Sequence, residues 1–151
     1  MSHILWISTL IVDHDRVLLV HEKKETHYNK INLPGGHLEL GETVIEWAKR
    51  EAREEVQSEI ELDGLLTIYS GKETHIGQEK STQHFIFLWH IIDWSGQPNT
   101  EEVLDAKWYT FEELEKMPDI LFLKASKIHE SIAKYRSGQI ASINTIIEVS
   151  K

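Results

Sequence analysis

The chain has 151 residues, enough for one domain with a sizeable core, and the absence of cysteine excludes disulfides, thiolate chemistry and cysteine-based metal sites. A formal net charge of -9 argues against a general nucleic-acid surface, which needs a basic patch, so no stable nucleic-acid complex is expected. No stretch approaches a membrane span and no basic leader precedes an apolar run, which with the missing cysteines suits a cytoplasmic protein.

Residues 3–12 (HILWISTLIV) read as a strand, Asp13-His14-Asp15 as a tight turn and residues 16–21 as the returning strand of a hairpin. The polar stretch 22–30, with Lys23, Lys24, Tyr28 and Lys30, reads as a solvated loop, with substrate contact as the alternative. Ile31 to Leu33 form a short strand leading into Pro34-Gly35-Gly36, and the alternation of His37-Leu38-Glu39-Leu40 predicts another before Gly41. A helix starts at Glu42 or Thr43 and carries Ile45, Ala48, Ala52 and Val56 on one apolar stripe. Residues 59–70 predict a long strand with an irregularity near Asp63-Gly64. The polar stretch 71–81 reads as a loop beside the functional site.

Residues 82–92 (TQHFIFLWHII) are the most hydrophobic strand candidate and belong at the centre of the sheet. Phe85, Phe87 and Trp89 fall on one face; His84, Ile86, Leu88 and His90 fall on the other, and covering both requires helices on each side. His84 and His90 read as packed or hydrogen-bonded histidines, with substrate contact as the lesser alternative. After a loop over 93–102, a strand is predicted to residue 109. Thr110 and Glu113 have the spacing of a capping box for a short helix ending before Pro118. A final helix runs from Asp119 to about Tyr135, its stripe taking in Ile120, Leu121, Lys124, Ile128 and Ile132, and Ser137-Gly138 stops it. The core thus spans about residues 3–137. In the tail, 138–151, Gln139 to Val149 can form a strand, placed either on the sheet edge or on a partner subunit of a homodimer.

Glu51, Glu54 and Glu55, at spacings of three and four, are neighbours on the helix surface, away from most of its apolar stripe. Acidic residues at helical spacing ordinarily make a solvated face. The glycine turn immediately ahead of them shifts the weighing, because glycine lets backbone approach a ligand and a helix N-terminus favours anions. Clustered carboxylates disfavour one another's ionisation, a cost that a hard divalent cation removes, and oxygen ligands suit magnesium or manganese. Glu46 and Arg50 stand four apart in the favourable orientation for a helical pair, though Arg50 is better placed to orient the carboxylate cluster.

Gly36, five residues, Glu42, seven residues, then Arg50-Glu51-Ala52-Arg53-Glu54-Glu55 resembles the Nudix box. Every charged position and the first glycine are present; Gln57 stands where a second glycine is expected and Ser58 where an aliphatic is expected. Gln57 either takes the left-handed conformation itself, costing roughly 1 kcal/mol, or extends the helix. The resemblance implies an α/β/α sandwich around a mixed β-sheet and divalent-metal-dependent hydrolysis of a phosphoanhydride by water. It implies Glu51, Glu54, Glu55 and the Gly35 carbonyl as ligands of Mg2+ or Mn2+. Glu42 and Arg50 would position the cluster. Glu51 is the first candidate for the general base, with Glu101 and Glu102 as loop candidates whose plainer role is a solvated acidic pair.

The implied substrate is a small nucleotide-containing diphosphate, with nucleoside triphosphates as the default and nucleotide sugars or dinucleoside polyphosphates as alternatives. No proline lies between positions 35 and 97, which counts against ADP-ribose, and the extended coenzyme A pattern is absent. Tyr28, Phe85, Phe87 and Trp89 are candidates for stacking on a base, and each is more simply a core or surface aromatic. A noncatalytic nucleotide-binding sensor or scaffold is the alternative from a different class; retention of all three carboxylates weighs against it.

Overall fold

The computed structural model describes residues 3–75 and 77–149. Strand β1 (His3–Asp13) turns through His14, which takes a left-handed φ of 56°, into β2 (Arg16–Glu22). Two short strands follow, β3 (Ile31–Asn32) and β4 (Gly35–His37), and then the box helix α1 (Val44–Val56). A long hairpin comes next, made of β5 (Ser58–His75) and β6 (Gln78–Trp94). Strand β7 (Val103–Thr110) leads directly into α2 (Phe111–Lys116); α3 (Ala125–Arg136) and a two-residue strand β8 (Ala141–Ser142) complete the order.

The strands form one mixed sheet in the order β3-β2-β1-β6-β5-β8, with β7 also on β2 and β4 on β1. β1 and β6 are parallel over ten residue pairs; the other pairings are antiparallel. Covering both faces explains why β1 and β6 are apolar on both sides. On one face Ile7, Ile11, Phe87 and Trp89 pack against Trp47, Ala48 and Ala52 of α1. On the other, Leu10, Ile86 and Leu88 meet Leu114 of α2 and Ile128 and Ile132 of α3. This is the α/β/α sandwich expected from the box.

Several boundaries differ from the expectation for physical reasons. The strand predicted at residues 37–40 is shifted to Gly35–His37, and Leu40 stands fully exposed. The two glycines carry the pairing because a Cβ on Gly35 would lie 2.4 Å from the Ile7 carbonyl oxygen. The expected loop at 71–81 is instead the distal part of the hairpin, where pairing is supported by opposed charges such as Lys72 and Glu79, 3.2 Å apart, and not by apolar alternation. The final helix begins at Ala125 and not at Asp119: residues 119–121 form a single 3₁₀ turn, and Leu123 N–H then bonds the Ile31 carbonyl at 2.9 Å. Ile120 and Leu121 are consequently exposed, outside the apolar stripe.

Trp47, absent from the predicted stripe of α1, is fully buried, whereas Ile45 is only half-buried. The expected tail strand shrinks to Ala141 and Ser142 against Leu65 and Gly64. Ile146 packs on the core and Glu148 accepts a hydrogen bond from Ile45 N–H at the start of α1. No helix of the described residues is long and apolar enough to cross a membrane.

Candidate active site

The box helix is fixed at both ends by its own sequence. Thr43 and Glu46 make a reciprocal capping box, so Glu46 caps the helix and does not pair with Arg50 as its spacing suggested. At the other end Gln57 takes the left-handed conformation (φ 50°, ψ 46°) and its N–H bonds the Ala52 carbonyl. Two of the remaining terminal carbonyls find other donors: Asn99 N–H reaches Glu55 and the Trp94 indole reaches Val56, at 3.0 and 2.7 Å. These bonds hold the helix exit in place without the customary glycine.

The turn before the helix is seated just as firmly. Pro34 O accepts from both the backbone N–H and the hydroxyl of Thr9, while β4 pairs with Trp6, Ile7 and Ser8 of β1. The Trp47 indole donates to His37 O at 3.0 Å, tying α1 to β4. Between turn and helix lies a cleft of about 640 Å³ that the expected site residues Gly35, Arg50, Glu51, Glu54 and Glu55 all line.

Arg50 is the hub of the cleft's acidic end. Its guanidinium donates two bonds to Glu42, at 2.6 and 3.0 Å, and its Nη1 donates to both Glu51 and Glu54 at 2.9 Å. Glu39 lies 4.0 Å away. The Arg50 bonds hold the Glu42 carboxyl below its ordinary value and the Glu42 bond raises the guanidinium further. Burial pushes the Glu51 carboxyl upward against the pull of Arg50. Glu55 is driven well above its ordinary value by burial first and then by Glu51 and Glu22; the Gly35 N–H, 3.2 Å from its Oε2, opposes this.

Among the described residues, no three His, Cys, Asp or Glu side chains converge tightly enough to make a ready-formed cation cage. Arg50 accounts for part of this, since its Nη1 stands between Glu51 and Glu54. The donor chemistry nevertheless fits a hard divalent cation: Glu51, Glu54, Glu55 and the Gly35 backbone share one cleft, and the burdened Glu55 carboxyl gains most from a neighbouring positive charge.

Of the loop candidates, Glu102 lines the cleft and acts on Glu55, whereas Glu101 sits in a turn with its N–H on Asn99 Oδ1. Phe87 and Trp89 are core residues and Phe85 packs against that core, which removes all three as stacking platforms; Tyr28 is exposed. Trp6, Glu22 and Lys124 line the cleft and were missed. Glu22 ends the apolar run RVLLVHE and accepts from Asn32 Nδ2 at 2.7 Å; a carboxylate closing such a strand was the available signal. His84 is buried and hydrogen-bonded, and His90 is exposed with Asp63 at 2.9 Å.

A mixed sheet between helices, with a glycine turn facing a carboxylate helix across a cleft, is the Nudix arrangement. The chain belongs to the Nudix hydrolase family: the family model described as the NUDIX domain matches residues 4–131. Family and fold together support pyrophosphohydrolase activity. The chain is 28% identical over 132 residues to the ADP-ribose pyrophosphatase of Methanocaldococcus jannaschii, a match covering 87% of this chain and 74% of that protein. It is 30% identical over 107 residues to the 8-oxo-dGDP phosphatase NUDT18 of Homo sapiens, covering 68% of this chain and 31% of the human protein, so the chain spans about a third of that relative. Among solved structures, a NUDIX hydrolase from Nitrosomonas europaea superposes with a TM-score of 0.82 at 21% identity, covering 98% of each chain.

Proposed function

We propose that the chain hydrolyses a phosphoanhydride bond in a nucleoside diphosphate-linked substrate by attack of water, with magnesium or manganese held at the acidic end of the cleft. The carrying observation is the convergence of Arg50, Glu51, Glu54 and Glu55 on the glycine turn at Gly35 in one cleft. Glu54, Glu55 and the Gly35 carbonyl would hold the metal, with Glu51 as a third ligand or as the group that receives the water's proton; the ion would supply Lewis acidity toward the diphosphate and lower the pKa of the attacking water.

The chain's own groups do the rest. Glu42 fixes Arg50, and Arg50 in turn aims Glu51 and Glu54. Where Glu51, its carboxyl raised by burial, is not a ligand, it is the first candidate to take the proton of the attacking water; Glu102, on the same cleft, is the second. The two relatives are named for different compounds, an oxidised deoxyguanosine diphosphate and ADP-ribose, whose shared part is a nucleoside diphosphate. That shared part is the substrate class assigned here, and the archaeal relative restores ADP-ribose to the set despite the missing proline.

The test is a hydrolysis panel with magnesium or manganese, products resolved by chromatography. It spans nucleoside triphosphates, oxidised guanine nucleotides, ADP-ribose, nucleotide sugars and dinucleoside polyphosphates. One preferred substrate should emerge, and Glu54→Gln should cut its turnover by at least about a hundredfold while the fold persists. Tight nucleotide binding with no turnover would replace this reading with a noncatalytic sensor.

A further inference from the structure

The cleft has a second chemical character away from its carboxylates. Lys124 and Trp6 line it, and it adjoins a smaller cavity of about 150 Å³ that shares Trp6, Glu73 and His84 and adds Lys127 and Tyr69. Lys124 caps α3 and Lys127 follows three residues later, so the two fall on one face. Each ammonium lies over an aromatic ring: Lys124 Nζ is 5.3 Å from the Trp6 centroid and Lys127 Nζ is 4.9 Å from that of Tyr69.

Among the described residues, lysine ion pairs join Lys72 to Glu79, Lys107 to Asp105 and Lys116 to Glu112; Lys124 and Lys127 have none. Lys127 donates to His84 Nδ1 at 2.8 Å, which makes that nitrogen an acceptor and leaves Nε2–H to donate to Ser8 Oγ at 2.8 Å. His84 is thereby a buried neutral strut under the amine. Glu73 and Glu130 are the acidic groups that act on Lys127, and Glu130 is already engaged by the Tyr69 hydroxyl. Burial and the neighbouring Lys124 lower Lys127 to about 8, a cost that an anion would relieve.

Two half-buried ammonium groups that border adjoining cavities, Lys124 on the cleft and Lys127 on the smaller one, with Glu73 lining both cavities and no ion pair to either lysine among the described residues, can together hold an anion. We propose that Lys124 and Lys127, steadied by His84 and Ser8, bind a phosphate monoester on the part of the substrate remote from the scissile diphosphate. This rests on the hydrolytic reading of the cleft and narrows it to nucleoside diphosphate-linked compounds that carry a further phosphate on the linked group. A neutral sugar or base offers two ammonium groups acceptors but no opposing charge, whereas a phosphate dianion accepts charge-assisted bonds from both.

Binding is tested first, independently of turnover, by titrating inorganic phosphate into isotopically labelled protein without divalent metal and following the magnetic resonances of His84 and of residues 124–127. Saturable shifts should appear, vanish in Lys124→Gln/Lys127→Gln, and persist in Lys124→Arg/Lys127→Arg and in Glu54→Gln. No saturable shift, or shifts unchanged in the double glutamine variant, would overturn the subsite. Kinetics then compares two diphosphate-linked dinucleotides differing only by a ribose 2′-phosphate. The wild type should favour the phosphorylated member by about tenfold or more in kcat/KM, and the double glutamine variant should lose that preference through KM. Equal rates in the wild type would overturn the substrate class. Turnover of neither member, nor of any substrate in the hydrolysis panel, with the phosphate shifts intact, would strike the hydrolytic reading alone and leave the subsite standing.

Discussion

Glu55 carries the largest electrostatic burden of any box residue. Its carboxyl is pushed well above the ordinary 4.5 by burial, Glu51 and Glu22. Between those two values the folded, metal-free protein keeps a proton that the unfolded chain has released, so stability falls as pH rises through that window. Glu51, also raised, acts with the same sign. Glu55→Gln should therefore stabilise the chelator-treated protein at pH 8 and have little effect at pH 4, where both states hold the proton. Urea midpoints of the two proteins across that range check this, and a Glu55→Gln gain that did not grow with pH would refute it. Much of this chemistry was legible beforehand: Gly35, Gly36, Glu42, Arg50, Glu51, Glu54 and Glu55 lie within one short segment, where spacing alone reports who can meet whom. The role of Arg50 as a clasp on Glu42, eight residues away, was legible only through the box, because the helical pattern pointed equally to Glu46.

The box helix shows how an element can lose a customary residue and keep its shape. Gln57 sits in the left-handed region, where a side chain costs about 1 kcal/mol or more, and its amide recovers one exposed bond to Pro98 O at 3.2 Å. Gln57→Gly should raise stability by roughly 0.5–1 kcal/mol, the released strain exceeding the lost surface bond and the added chain freedom. A lower denaturant midpoint in Gln57→Gly would show that the Pro98 contact dominates. The hairpin of β5 and β6 teaches the opposite lesson about legibility. Its inner half was readable from apolar alternation, but its outer half is polar on both faces and paired through Lys72, Glu73, Glu79 and Lys80, which a hydrophobic pattern cannot report. Trp6, Lys124 and Glu22 escaped for a different reason: they reach the cleft from separate elements, through pairings that no local spacing encodes.

At the scale of the molecule, the sheet separates two apolar cores while the acidic end of the cleft gathers repelling charge. A cation bound only by the folded state should therefore act as a global stabiliser. At a hundredfold excess over its dissociation constant the gain is about 2.7 kcal/mol, or roughly 5–10 °C in the midpoint for a chain of this size. Manganese should produce that rise in the wild type and much less in Glu54→Gln, as read by scanning calorimetry; equal rises in both would place the cation elsewhere.

The parallel ladder between β1 and β6 has a temporal consequence. It joins Ile4 to Thr82 and Leu10 to Leu88, partners that are distant along the chain. The β1–β2 hairpin and the doubly capped box helix rest on local contacts and are free to form early. The ladder must close a long intervening loop first, and such closures are slow. Trp6 and Ser8 meet His84 only when that closure is complete. During synthesis, then, the carboxylate-bearing segment is made and shaped well before the strand that completes its cleft has been translated, and the cleft is among the last parts of the molecule to mature.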